Sequence, residues 1–195
     1  IGDNLFANCV LALNAETGER IWHFQAVHHD LWDYDLPTPP TLITLVKDGE
    51  EIDAVAQPSK MGHLFVLDRE TGEPIFGVEE RPVPSTEVPG DVSSPTQPFP
   101  IKPLPYTDQD FTLDDVTDLS PEARSYVLEQ LKDFKLGPIF TPAGFEKLVI
   151  APQFNGGSEW PGAGFDPDGN ILFINSSNEA EWISMREAKL DREIA

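Results

Sequence analysis

Short apolar runs separated by turn residues make up much of this chain, and they alternate with polar positions as half-buried strands do. The runs Val10-Leu11-Ala12-Leu13 and Leu64-Phe65-Val66-Leu67 each meet a Glu-Thr-Gly triplet and then a second apolar stretch. The surrounding segments are copies of each other. LNAETGERIW at 13–22 returns as LDRETGEPIF at 67–76, identical at six of ten positions with an offset of 54 residues. Gly18 and Gly72 stand where a tight turn needs positive φ, so each copy reads as strand, turn, strand. Trp22 and Phe76 close the two copies, and a ring there would wedge one sheet against its neighbour. The alternative is two unrelated hairpins that share common turn residues.

The rest of the pattern extends this picture. Residues 8–27 read as a hairpin and 28–40 as a polar, aromatic and proline-rich loop. Over 41–78 the runs TLITLV, DAVAQ, HLFVLD and PIFGV are separated by Lys47-Asp48-Gly49, Met61-Gly62 and Thr71-Gly72, which predicts a four-stranded antiparallel sheet. From Arg81 to Pro105 prolines crowd the chain. Proline removes ladder donors, so this stretch is predicted to be a surface excursion rather than sheet. One helix is signalled, with Ser120 as cap, Pro121 in the first turn, an apolar stripe of Ala123, Val127, Leu131 and Phe134, and a stop at Gly137-Pro138. Sheet-like pattern resumes over 139–176. There Asp166-Pro167-Asp168-Gly169-Asn170 reads as a β-turn, because the twelfth position from Asp166 is Ser177 and not the glutamate a calcium loop requires. A period near 40–50 residues is what propeller blades show. The expectation is an all-β chain, 1–195 forming part of one β-propeller domain, with a proline-rich and helical insertion over 82–138.

Composition removes several functions. With 34 acidic and 13 basic residues the formal charge is −21, a surface that repels phosphate backbones, so no nucleic-acid partner is expected. No run of 18 apolar residues is present to span a membrane. The lone Cys9 excludes an internal disulfide framework, and there is no CxxCH haem site. The first residues already resemble a strand, without an initiator Met or a leader, and the sequence closes on the charged MREAKLDREIA. The chain is therefore expected to be an internal or truncated piece of something larger, and the missing targeting segments carry little weight.

Three segments offer chemistry. His28-His29-Asp30-Leu31-Trp32-Asp33-Tyr34-Asp35 follows the first repeat directly, where the chain leaves a strand edge for a loop, the place rigid β-scaffolds display functional groups. If 33–35 is extended, Asp33 and Asp35 point the same way, about 7 Å apart. Two such carboxylates can share a hard cation, or one can act as base while the other holds metal; a solvated acidic turn packed on Leu31 and Trp32 is the alternative. Lys60, in Pro58-Ser59-Lys60-Met61-Gly62, sits at a break between two apolar runs. It is either a donor to an anionic or carbonyl-bearing ligand or a solvated turn residue. In Phe154-Asn155-Gly156-Gly157-Ser158-Glu159-Trp160 the paired glycines permit close backbone approach, beside an acceptor and a flat ring.

Taken in order, HHDLWDYDLPTPPTL, PSKMGHLFVLDRETGEP and FNGGSEWPGAGFDP resemble the pyrroloquinoline-quinone (PQQ)-dependent alcohol and glucose dehydrogenases, most closely the membrane-type quinoprotein glucose dehydrogenases. The resemblance covers most of 5–100 and again 138–182, leaving out 106–137. The ETG-x-x-x-W repeat resembles that family's tryptophan docking motif, with Phe76 departing from it in the second copy. The resemblance implies an eight-bladed β-propeller, of which this chain would supply about two to three blades of four antiparallel strands. It implies PQQ lying near the propeller axis with its quinone oxygens on a divalent or trivalent cation, Ca or Mg above all. It also implies periplasmic or periplasm-facing membrane location, a small alcohol or sugar substrate, a downstream quinone or cytochrome as electron acceptor, and further blades from the parent chain. By motif position, Asp33 would be the general base that takes the alcohol proton as hydride moves to the quinone. Lys60 would hydrogen-bond the quinone oxygens, Asp35 would help hold the metal, and Glu159 and Trp160 would line the cofactor site. Glu159 stands where the glucose dehydrogenase branch has Asn. The family's stacking tryptophan, adjacent-cysteine disulfide and principal metal ligands have no counterpart in the 195 residues, so the chain alone is expected neither to bind cofactor tightly nor to turn over. Two other readings stand beside this one: a non-catalytic propeller scaffold, and a metal-binding β-protein without quinone.

Overall fold

A computed structural model describes residues 2–188. The first repeat forms β1 (Cys9–Leu13) and β2 (Arg20–Gln25), antiparallel, with Leu13 opposite Arg20. The two copies share one turn down to individual bonds. Asn14 Oδ1 accepts from the N–H groups of Glu16 and Thr17, and Gly18 N donates to Asn14 O. Asp68 Oδ1 accepts from Glu70 and Thr71 in the same way, and Gly72 N donates to Asp68 O. Both glycines have positive φ, +72° and +76°, which is where a side chain would be strained. The side-chain oxygen at the first position thus imitates a backbone acceptor and sets the loop.

The second repeat leads out of a three-stranded sheet: β3 (Thr41–Lys47), β4 (Glu50–Pro58) and β5 (Leu64–Asp68), paired in the order β3-β4-β5. The fourth strand predicted for 41–78 is reduced to an isolated bridge at Leu67 and Pro74, with Ile75 N donating to Val66 O. Pro74 stands where the first copy has Arg20; it occupies a non-hydrogen-bonded pair, flanked by the bond from Ile75 and one from Asp68 N to Glu73 O.

Side chains alternate across this sheet, and both of its faces are covered. Val55, Phe65 and Leu67 pack in one cluster with Val10 and Trp22 of the first hairpin. Ala54, Ala56, Leu64 and Val66 pack in a second cluster with Phe165, Leu172 and Ile174. These last belong to the hairpin of β10 (Ala163–Asp166) and β11 (Ile171–Ile174), whose connection is the predicted turn at 166–170. Three sheets therefore stack face to face. Trp22 is buried between the first two: its Nε1 donates to Arg69 O at 3.0 Å, and a Cβ on Gly72 would come within 2.6 Å of its ring.

The proline-rich segment corrects the expectation of a surface excursion. β6 (Val78–Pro82) pairs with β7 (Thr96–Pro100), and Gln97 and Pro98 are fully buried. Pro82, Pro98 and Pro100 share one parity in the register, so the ladder can run through Arg81–Gln97 and Glu79–Phe99 instead. Gln97 clips this ribbon to the loop after β2, accepting from His28 N (2.8 Å) and donating to His28 O (2.6 Å). The helix α1 (Pro121–Leu131) is capped by Ser120, which accepts from Ala123 N. It ends at Leu131, so Phe134 lies past it, edge-on to Trp182 with Lys147 over both rings. Two short strands, β8 (Lys135–Leu136) and β12 (Glu181–Ile183), flank β9 (Leu148–Ile150).

Candidate functional site

The loop after β2 is held by a carboxylate and two buried rings. Asp30 Oδ1 accepts from Trp32 N and Tyr34 N, while its Oδ2 accepts from Asn8 Nδ2. Trp32 Nε1 donates to Thr141 O, and the Tyr34 hydroxyl donates to Pro152 O at 2.6 Å. Burial first, then the charges of Asp30 and Glu181, push the Tyr34 phenol well above its ordinary pKa, so it stays a donor. With Trp32 and Tyr34 anchored inward, Asp33 and Asp35 are left on the open side.

The condition under which the two carboxylates would lie side by side, an extended 33–35, is not met. Asp33 has φ +60°, a left-handed kink that Asp tolerates better than most residues. The two carboxylates nevertheless converge, on Lys60. This lysine sits in the turn joining β4 to β5, where Gly62 N donates to Ser59 O. Its Nζ lies 2.6 Å from Asp35 Oδ1, 3.1 Å from Asp33 Oδ2 and 3.9 Å from Glu159 Oε1. Only 9% of the Lys60 side chain is exposed, against 67% for Asp33. Burial alone would lower the Lys60 pKa; hydrogen bonds and charge from Asp35 and Asp33 outweigh it and hold the pKa above its ordinary value. The ammonium is thus kept charged at the mouth of an acidic well.

The glycine pair brings in the third segment. A Cβ on Gly156 (φ +80°) would sit 2.3–2.5 Å from Cβ, Cγ and Cα of Lys60, and Gly157 N donates to Lys60 O at 2.6 Å. Close backbone approach was the expected use of these glycines, and what they approach is the lysine stem. Glu159 follows at the rim. Trp160 is 80% exposed, a flat ring beside the cluster in sequence and open to solvent. The histidines of the first segment turn elsewhere: His28 contacts Gln25 and Glu80, and His29 contacts Gly2 O. Among the described residues no group of three His, Cys, Asp or Glu side chains is arranged to hold a metal ion.

Sequence reasoning missed the residues that surround the lysine turn. Tyr106, Thr107 and Gln109 follow a proline-rich stretch with no period to follow, yet all three close on 59–63. Asp30 was legible in part, since a carboxylate two residues before a buried ring is an Asx-turn signal. His63, fully buried, lies among Phe65, Phe99 and Phe140. Its Nε2 lies 2.7 Å from Gln109 Oε1, and its Nδ1 has no partner among the described residues. Burial drives its pKa down from 6.5 to about 4 against the pull of Gln109, with Arg81 adding to the drop. The unfolded chain takes up this proton below about pH 6.5 and the folded chain only near 4. Stability is therefore complete above pH 6.5 and falls between 6.5 and 4, by roughly 3 kcal/mol at this site. Urea unfolding at pH 7.5 and 4.5 should show a smaller loss in His63→Gln than in the wild type.

Stacked antiparallel sheets around a buried charged mouth define the chain as part of a β-propeller. The family model for the PQQ glucose/ethanol/alcohol dehydrogenase, beta-propeller domain, matches residues 1–194, and the chain belongs to that family. The match runs through 106–137, which the motif resemblance had left out. The chain is 39% identical over 176 residues to the glycerol dehydrogenase large subunit of Gluconobacter oxydans (strain 621H), covering 89% of this chain and 24% of that protein. It is 35% identical over 170 residues to the quinoprotein glucose dehydrogenase of Escherichia coli (strain K12), covering 87% and 21%. The quinohemoprotein alcohol dehydrogenase of Comamonas testosteroni shares the fold, with a TM-score of 0.55 at 23% identity over 91% of this chain and 21% of that one. The chain spans under a quarter of the length of the curated relatives it matches.

Proposed function

We propose that this chain is the portion of a PQQ-dependent dehydrogenase that carries its base and its quinone-binding lysine, in an enzyme oxidising a hydroxyl group of an alcohol or sugar. The observation that carries the reading is the convergence of Lys60 with Asp33, Asp35 and Glu159 from three separate segments. The donor set fits the cofactor and its cation. A buried ammonium is a donor suited to quinone oxygens, and the point where carboxylates meet it already favours positive charge. Asp35 Oδ1, shut off from water with no hydrogen-bond partner beyond its ion pair with Lys60, has capacity left for a hard cation such as Ca²⁺ or Mg²⁺. When bound, PQQ on its cation supplies the two-electron acceptor. Asp33, the most exposed of the pair, takes the hydroxyl proton on a carboxylate oxygen. Lys60 stabilises negative charge where it develops, and Glu159 and Trp160 border the site.

Further blades would supply the remaining cation ligands, and a quinone or cytochrome would take up the electrons, at the periplasmic side of the membrane. Among the described residues no helix is long and apolar enough to cross a membrane. Reconstituting the full-length protein with PQQ and Ca²⁺ tests the reading. Dye-linked oxidation of alcohols or aldoses that requires both additions is the expected result. Neither turnover nor quinone absorbance on any substrate would leave a scaffold in its place.

A further inference from the structure

Lys60 is held by more than its ion pairs. The polar backbone groups of the turn that carries it are met from outside the turn. The Tyr106 hydroxyl accepts from Ser59 N (3.0 Å) and donates to Ser59 O (2.7 Å), while Tyr106 N donates to Gly62 O. Gln109 Nε2 donates to Met61 O at 2.9 Å, and its Oε1 faces His63 Nε2 at 2.7 Å. Because the amide of Gln109 is oriented by Met61 O, its oxygen accepts, and His63 must carry its proton on Nε2. Thr107 fills the space over Gly62 and Gly157, so close that a Cβ on Gly62 would fall 1.8 Å from its Oγ1. Ser59 Oγ donates to His63 O and so closes the turn from within.

We infer that Tyr106 and Gln109 are positioning residues, which fix the backbone on both sides of Lys60 and so aim its ammonium at the cofactor. The inference rests on the reading of Lys60 as a PQQ ligand. A lysine side chain has many rotamers, and a site loses rate and affinity steeply when a donor is displaced by about 1 Å. Anchoring the residues before and after Lys60, with the stem pressed by Gly156, removes most of that freedom before ligand arrives. Neither residue hydrogen-bonds Asp33, Asp35 or Glu159.

The test uses the full-length apoprotein, titrated with PQQ in the presence of Ca²⁺ and followed by quenching of tryptophan fluorescence, with thermal unfolding measured alongside. Tyr106→Phe keeps the ring and removes the bonds to Ser59; Gln109→Leu removes those to Met61 and His63. Each is expected to weaken PQQ binding by about three- to tenfold and to lower kcat with little change in the alcohol KM. In a Lys60→Ala background, Tyr106→Phe should weaken binding no further. Wild-type PQQ affinity in both folded single variants overturns the clamp, as does a loss that adds in full on Lys60→Ala. If Lys60→Ala itself binds PQQ normally, the underlying reading of Lys60 fails, and the clamp with it. Loss of binding in Lys60→Ala with none in the clamp variants sinks the clamp alone.

Discussion

Replacing Asp33 with Asn should lower kcat of the reconstituted full-length enzyme by about 10²–10⁴-fold, the usual worth of a positioned general base. Asn is the right probe on physical grounds. At φ +60° an Ala would add backbone strain of about 1–2 kcal/mol, and lost activity would then mix with a moved loop. Asn tolerates the same left-handed geometry and keeps the shape, so the substitution removes only the charge and the basic oxygen. The Asp30, Trp32 and Tyr34 bonds that build the loop do not involve the Asp33 side chain. Thermal unfolding should therefore stay near wild type. A variant that retains wild-type turnover would remove Asp33 from the chemistry and favour a role confined to pairing Lys60.

Gly156→Ala should be severely damaging. The new Cβ would sit 2.5 Å from Lys60 Cα and closer still to its Cβ and Cγ, atoms that cannot swing aside as a side-chain tip can. Strain at φ +80° and overpacking together cost roughly 2–5 kcal/mol. If the loop yields instead, Lys60 moves and Gly157 loses its 2.6 Å bond to Lys60 O. Either way, apparent PQQ affinity should fall at least about tenfold, with a lowered thermal midpoint. Gly144→Ala, which meets nothing within 4 Å, is the control. Equal behaviour of the two variants would show that the close approach has no part in the site.

What was legible in the sequence was what repeats or alternates. The 54-residue offset announced two copies of one turn, and the copies match in the backbone N–H groups that Asn14 and Asp68 accept from. Asp33, Asp35, Lys60 and Glu159 could be singled out because ionisable residues stand beside turn signals and in an order that resembles a known family. The errors share one cause, since local rules were applied where the tertiary partner decides. Prolines argued against strand at 96–100, but a ribbon needs ladder bonds at alternate residues only, and the prolines fall on the other parity. Pro74 falls on that same parity, and the ladder bonds on either side of it, Asp68 N to Glu73 O and Ile75 N to Val66 O, are both made. Tyr106 and Gln109 carry no period and no motif. Their importance lies wholly in which carbonyls they meet, some fifty residues back along the chain, and no local pattern encodes that.

The three stacked sheets have one more implication. Hydrogen-bond ladders run within each sheet and, among the described residues, none joins one to the next; neighbours meet through rings and aliphatic side chains, as Trp22 does on Gly72. Such joints, with single polar clips such as Trp22 Nε1 on Arg69 O, constrain register less than a ladder would, so a layer can drift in sequence while its neighbours keep their pairing. Divergence of specificity in this architecture can proceed one layer at a time.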